Sequence, residues 1–328
     1  MGHTVVASDR GGGPPGGRPG RLAHVLALVL SAATLVLIVA GGLVTNTGAG
    51  LAVPDWPTTF GHNMFLFPWS RMVEGVLFEH SHRLLGALVG LLTVSFAVTV
   101  WLTDRSPWLR GLALAAVLLV CLQGLLGGLR VVLLRDVLAI VHGCLAQAFF
   151  ALTAAVAAIT APGWAGSAGV GTRPRPPGLG FFALGGAAAL YLQIVLGALA
   201  THAGWVNLHI AWAAVAVVAA GLLAGRLISA HEAGWRTLGR AMAALTGVQV
   251  ALGLGAYVVR FTALGVPGGE AVVVGLPVAH RAVAAVLFAL AVVVLLRAWR
   301  WGPTGPGAGR AAVRAGLAAD GPGRRVTA

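Results

Sequence analysis

Four histidines stand near the beginnings of alternate apolar segments of the chain. They are His82 in "SHRLLGALVG", His142 in "VHGCLAQAFF", His209 in "LHIAWAAVAV" and His280 in "AHRAVAAVLF". Polar side chains inside a membrane are costly and usually functional. Two imidazoles facing each other across a helix bundle suit a metal ion, or a haem held by two axial ligands. A zinc site would use three or four protein ligands, so pairs of histidines favour haem.

The first of these histidines is accompanied by a carboxylate. Glu79 precedes His82 by three residues, which places both side chains on one helical face, whereas Val206 stands at this spacing before His209. The asymmetry indicates a reacting site in the first half of the chain and an electron-transfer or structural haem in the second. The alternative for Glu79 is a helix N-cap, where its charge would meet the helix dipole.

Arg83 and Arg281 each directly follow one of the four histidines. Guanidinium groups at this position suit the propionate carboxylates of a haem. Extension of the side chains to lipid phosphate is the alternative. The sequence alone does not separate these two roles.

The segments that carry these residues are long enough to cross a bilayer. The chain has 328 residues, of which 58% are hydrophobic and 9% are charged, unlike a soluble domain. An apolar segment of about 20 residues spans a membrane. The predicted spans are 22–44, 79–102, 109–128, 137–161, 179–200, 207–230, 239–259 and 277–298. The sequence therefore predicts an all-α membrane protein with eight transmembrane helices.

The eight segments fall into two similar halves. Three odd-numbered segments carry Gln, three residues and Gly, in "LQGLLGGLRV", "LQIVLGALAT" and "VQVALGLGAY", and the first has "LIVAGGLVTN" with Ile38 at the glutamine position. The even-numbered segments carry the histidines. Segments one to four thus resemble segments five to eight in the same orientation. This pattern predicts two four-helix bundles related by a pseudo-twofold axis along the membrane normal.

The distribution of arginine predicts the orientation of the chain. The formal net charge of +13 at pH 7 would suit a nucleic-acid-binding protein, but most arginines lie in the two tails and in alternate loops. The positive-inside rule therefore predicts that both termini are cytoplasmic, and it removes the nucleic-acid interpretation. Cys121 and Cys144 fall within predicted helices, so an external disulfide is not expected.

These features predict five regions. They are a disordered cytoplasmic N-terminus at 1–21, a first bundle at 22–161, a cytoplasmic linker at 162–178, a second bundle at 179–298 and a disordered cytoplasmic tail at 299–328. The tails and the linker are rich in Gly, Pro and Arg and lack apolar periodicity.

Two motifs resemble the haem A synthase family. The stretch "EHSHR" at 79–83 is similar to the Glu-x-x-His-Arg motif of that family, and "TGAGLAVPDWP" at 47–57 is similar to a segment of its first external loop. The four histidines and the eight-helix plan agree as well, so the resemblance covers nearly all of residues 22–298. Many members carry a cysteine pair around the loop segment, where this chain has Val53 and Thr59.

The resemblance implies an oxidoreductase of the bacterial plasma membrane that converts the C8 methyl group of haem O to a formyl group, giving haem A for terminal cytochrome oxidases. It implies that His82 and His142 flank the substrate haem beside an essential carboxylate, Glu79. His209 and His280 would bind a haem b cofactor.

The implied partners are haem O, membrane lipid, an electron donor that the sequence does not identify and, by pathway logic, the haem O synthase. The alternative function is a dihaem b-type electron carrier, which the paired histidines alone would allow. Glu79 without a counterpart, together with the segment "TGAGLAVPDWP", favours the enzyme.

Overall fold

A computed structural model describes residues 20–162, 164, 178–264 and 267–300. The helices are α1 (Arg21–Asn46), α2 (Glu74–Thr103), α3 (Pro107–Leu133), α4 (Asp136–Thr160), α5 (Leu179–Ala203), α6 (Val206–Ile228), α7 (Ala233–Phe261) and α8 (Gly269–Arg300). All eight are long and apolar enough to cross a membrane, and these described residues contain no β-strand. The prediction of an all-α, multi-pass membrane protein with eight transmembrane helices is confirmed.

The helices pack as two rings of four. In the first ring, α1 packs on α2, α2 on α3, α3 on α4 and α4 on α1; α5 to α8 close a second ring in the same order. The rings meet where α8 packs against α1 and α4, and where α5 packs against α4. Connections between neighbouring helices within a ring are short apart from the one after α1, as in up-and-down bundles.

Small side chains line the contacts between helices. Alanines such as Ala23, Ala27 and Ala113 are fully buried in the first ring, and Ala183 and Ala220 are fully buried in the second. Lipid tails are as apolar as a protein core, so helix association in a membrane depends on close van der Waals packing. The alanines provide this packing by letting the backbones approach.

Several helices begin before their predicted first residues. α2 begins at Glu74 where the sequence predicts 79, and α8 begins at Gly269 where it predicts 277, so Pro277 lies inside the helix. The added residues, 74–78 and 269–276, are mostly apolar, and helical backbone there satisfies its own hydrogen bonds. His82 consequently lies about two turns into α2, and not within its first turn as the sequence indicates.

The predicted linker at 162–178 and the predicted tails at 1–21 and 299–328 lie almost entirely outside the described residues. At their edges, α1 already begins at Arg21 and α8 extends to Arg300.

One face of the two rings carries the α1–α2, α3–α4, α5–α6 and α7–α8 connections, and we call it the loop face. The longest of these connections, residues 47–73, is called the first loop. It contains two short 3₁₀ turns, Met64–Leu66 and Trp69–Arg71.

Candidate functional site

Each of the four histidines faces a glycine on the preceding helix. From a Cβ atom built on the glycine to Cε1 of the histidine, the distances are 3.0 Å for Gly41 and His82, 3.3 Å for Gly127 and His142, 3.2 Å for Gly197 and His209, and 2.9 Å for Gly253 and His280. A larger side chain at any of these positions would press against the imidazole. The repeated glycines therefore make room for the histidine rings.

The first helix fits this repeat one residue earlier than its sequence indicates. Gly41 contacts His82, whereas Gly42 faces Val278 on α8. The position equivalent to the glutamines is therefore Leu37, and the assignment of Ile38 is wrong. The adjacent glycines left two registers open, and the packing of α2 selects one of them.

The histidines of the second ring lie close together. The ring centroids of His209 and His280 are 6.4 Å apart, and their planes are inclined at 83°. Nδ1 of His280 lies 3.2 Å from the carbonyl oxygen of Gln249, and its Nε2 lies 3.2 Å from Nε2 of the Gln249 side chain. An Nδ1–H that donates to the carbonyl leaves Nε2 as an acceptor, which is the tautomer of a metal-binding imidazole.

Gln193 contacts the other histidine of this pair. Its side-chain nitrogen lies 3.3 Å from Nε2 of His209 and donates to the carbonyl oxygen of His209 at 3.1 Å. Gln193 and Gln249 thus make contacts between helices, as glutamines in membrane helices commonly do. Both contacts end on the histidines.

The histidines of the first ring, His82 and His142, are half-buried and close enough to interact electrostatically. Nδ1 of each is buried and faces a backbone carbonyl, that of Leu37 for His82 and that of Gln123 for His142. Nε2 of the Gln123 side chain is buried without a hydrogen-bond partner among the described residues. Buried polar atoms in native structures nearly always have partners. The unpartnered side-chain amide of Gln123, whose backbone carbonyl faces His142, therefore indicates a place for a ligand beside this histidine.

Glu79 is buried beneath the first loop. Its Oε1 accepts a hydrogen bond from Arg83 at 2.8 Å, and its Oε2 accepts one from the backbone N–H of Val53 at 2.9 Å. The N-cap position of α2 is Val73, so the alternative interpretation of Glu79 as an N-cap is wrong. The carboxylate instead lies about one turn closer to the loop face than His82.

Arg83 binds the backbone of the first loop. Its Nη1 donates to the carbonyl oxygens of Asp55 at 2.7 Å and Thr58 at 3.0 Å, and its Nη2 donates to that of Val53 at 2.9 Å. The side chain is 10% exposed, so it does not extend to lipid phosphate. The sequence offered no signal for this role, because loop carbonyls carry no side-chain signature.

Arg281, the second predicted propionate partner, makes one side-chain hydrogen bond in the described structure. Its Nη1 donates to the hydroxyl of Thr45 on α1 at 3.4 Å. This long contact leaves most of its donors free for another group.

His80 also holds the first loop, which the sequence did not indicate. Its Nδ1 lies 3.1 Å from the hydroxyl of Thr59, and its ring lies 5.1 Å from that of Phe67. The side chain is 1% exposed, so it faces neither lipid headgroups nor solvent. Thr59 and Val53, which stand at the cysteine positions of the resembling family, are both fully buried.

Asp55 and Trp56 fix the tip of the first loop. The Asp55 carboxylate accepts hydrogen bonds from the Thr58 hydroxyl and from the backbone N–H groups of Phe60 and Gly61. Partial burial raises the pKa of Asp55, but these hydrogen bonds outweigh it and lower the pKa to about 2. The Trp56 ring lies against Gly128 on α3, where an added Cβ would overlap the ring.

In the part of the chain that the structure describes, no three His, Cys, Asp or Glu side chains gather as a metal cluster. Cys121 and Cys144 are free thiols within α3 and α4. The histidines lie as two pairs, one in each ring.

Residues 24–319 match the model of a family described as cytochrome oxidase assembly protein, COX15-CtaA. The chain belongs to this family. This family member is 37% identical over 109 residues to the haem A synthase of Shouchella clausii, and 33% identical over 110 residues to that of Alkalihalophilus pseudofirmus. Each match covers 33% of this chain, and 35% and 36% of the respective relatives. The matched part of this family member therefore spans about a third of the length of these relatives.

Proposed function

We propose that this protein is a haem A synthase, which oxidises the C8 methyl group of haem O to a formyl group. The observation that carries the proposal is the first ring, where a buried carboxylate, Glu79, stands one turn from a histidine that faces a glycine. Membership of the cytochrome oxidase assembly family and similarity to two haem A synthases support the proposal.

In this proposal His82 and His142 hold the substrate haem in the first ring, residues 22–161. His209 and His280 hold a haem b cofactor in the second ring, residues 179–298. The separation of 6.4 Å between His209 and His280 fits this arrangement. Nδ1 of each histidine is directed at a backbone carbonyl, which leaves Nε2 for a ligand, and the facing glycines make room for the imidazoles.

The same Gly–His contact occurs once in each helical hairpin, which supports a pseudo-twofold axis between the rings. The residues outside this contact break the symmetry. Glu79 occurs in the first ring, and Val206 takes its place in the second. We assign the reaction to the ring with the carboxylate.

Bound haem iron supplies the oxidising chemistry that a methyl group requires. The role of the chain is to orient the porphyrin through its histidines and to place Glu79 beside it. The carboxylate then relays a proton or stabilises positive charge that develops on the substrate. Arg83 and the Val53 N–H fix both carboxylate oxygens, so the group is held in one position.

The proposed location is the bacterial plasma membrane, with both termini cytoplasmic and the loop face outside. The arginine distribution supports this orientation. Haem O is the proposed substrate, and an electron donor and the haem O synthase are the proposed partners.

A dihaem b-type electron carrier is the second candidate function. The Gly–His contact common to both rings favours it, because two equivalent haem sites would serve electron transfer equally well. An electron carrier, however, gives no reason for a buried carboxylate in one ring.

Expression in a host that makes haem O but no haem A separates the two functions. The synthase adds haem A or hydroxylated haem O to pigment extracts of that host, and an electron carrier adds neither. Haem stoichiometry and optical spectra of His82→Ala and His209→Ala variants then test which ring binds substrate. A folded, haem-loaded protein that forms no oxidised haem O would exclude the synthase.

A further inference from the structure

Arg130 lies at the loop face of the first ring. It follows Gly127 by three residues on α3 and therefore lies about one turn closer to this face than the glycine that contacts His142. A Cβ built on Gly50 of the first loop would overlap Nη2 of Arg130. The guanidinium is thus packed under the first loop, and it acts electrostatically on both His82 and His142.

No acidic side chain forms an ion pair with Arg130 among the described residues. The ion pair found there joins Arg83 and Glu79. Arg130 instead lies within electrostatic reach of Arg281. Arg260 also lies within electrostatic reach of Arg281. Asp136 lies within electrostatic reach of His202, as do Arg130 and Arg281. Three guanidinium groups near one carboxylate leave a net positive charge at the membrane surface, which is unfavourable without a further counter-charge. Their placement indicates an anionic ligand at the mouth of the first ring.

The position of Arg130 is specific to one helix of the repeat. It stands seven residues after Gln123, and Ala200 and Ala256 stand seven residues after Gln193 and Gln249. Arg130 therefore shares with Glu79 the property of occurring in the first ring without a counterpart. The Gly–His contact itself does not require a guanidinium, since the other hairpins form it without one.

We propose that Arg130 binds the propionate carboxylates of the haem in the first ring. The inference rests on the proposed function and assigns to Arg130 the role that the sequence gave to Arg83. Both terminal nitrogens of Arg83 are already bonded to the first loop and to Glu79. A guanidinium recognises carboxylates with two parallel hydrogen bonds, so a free one near the histidine pair suits this ligand.

The test is an optical titration of the purified full-length protein with haem O and, separately, with haem O dimethyl ester, which lacks the propionate charges. Wild-type protein should prefer haem O to its ester. Arg130→Gln should weaken haem O binding about tenfold or more, as loss of a hydrogen bond to a charged group does. The ester should bind the variant and wild type equally, so the preference disappears. Arg130→Lys should recover part of the preference.

Arg135 provides the matched control, because it is exposed in the turn after α3. Arg135→Gln should keep the wild-type affinity for both porphyrins. Binding of haem O by Arg130→Gln with wild-type affinity and preference overturns the inference. So does a wild-type protein that binds the ester as tightly as haem O, a result that needs no variant. Either result leaves haem A formation by the wild-type protein intact, whereas wild type that binds no haem O overturns the proposed function as well.

Discussion

Glu79 and Arg83 form an ion pair of 2.8 Å one turn apart on α2, and both side chains also bind the first loop. The proposed catalytic carboxylate is therefore part of the contact that closes the loop over the first ring. Variants of the two residues should have different consequences, because Glu79 has an isosteric neutral replacement and Arg83 does not.

Glu79→Gln should abolish most activity while the protein remains folded. The amide keeps an oxygen for the Val53 N–H, but it carries no charge and does not relay protons. Haem A formation should fall about 100-fold or more, the usual contribution of a general acid or base. The measurement is the ratio of haem A to haem O in pigment extracts. A haem-loaded variant that formed haem A at the wild-type rate would rule out both proposed roles of Glu79.

Arg83→Met should loosen the first loop. The substitution removes four hydrogen bonds and leaves Glu79 buried without its partner, which costs about 3–5 kcal/mol in comparable buried pairs. Thermal unfolding in detergent and proteolysis of the loop measure the effect. Arg71→Met is the control, because Arg71 is exposed on the same loop. Equal stability of the two variants would show that Arg83 does not hold the loop.

Gly253→Ala should disturb the second ring. The added Cβ would lie 2.9 Å from Cε1 of His280, so the imidazole must move. We expect loss of haem from this ring, or a changed Soret band, on purification. Gly247→Ala on the same helix is the control, since nothing lies within 4 Å of a Cβ there. If both variants retained wild-type spectra, the glycine would not position the histidine.

Acid should release the tip of the first loop. The pKa of Asp55 is lowered from 3.8 to about 2 in the folded loop, so the ionised carboxylate stabilises the loop above pH 3.8. That contribution is lost as the pH falls from 3.8 towards about 2. Proteolysis of the loop by an acid-active protease should accelerate in this range. In Asp55→Asn the rate of loop proteolysis should depend less on pH. A pH dependence equal to that of wild type would show that another group titrates.

The sequence predicted the helices of this fold better than its loop. Apolar runs identified eight spans, because a membrane requires each to be long and continuous. The spacing of His82 and Glu79 placed them together on α2, since helical geometry fixes which residues share a face. The helix starts at Glu74 and Gly269 were missed, because Glu79 and Pro277 are residues typical of a helix start and interrupt otherwise apolar sequence.

The contacts of Arg83 and His80 were not predictable in the same way. They depend on the path of the first loop, which returns to pack on α2 through Val53 and Thr59. Neither periodicity nor spacing encodes such a path. The register of Gly41 against His82 was likewise decided by packing between helices and not by either helix alone.

The Gly–His contact also constrains how the protein is made. Each hairpin contributes one imidazole, so the first pair is complete only after α4 has entered the membrane, and the second only after α8. A nascent chain that has emerged as far as α3 offers His82 without its opposite ligand. If the pairs bind haem as proposed, porphyrin capture by two imidazoles follows insertion in two stages, and the amino-terminal half is ready first.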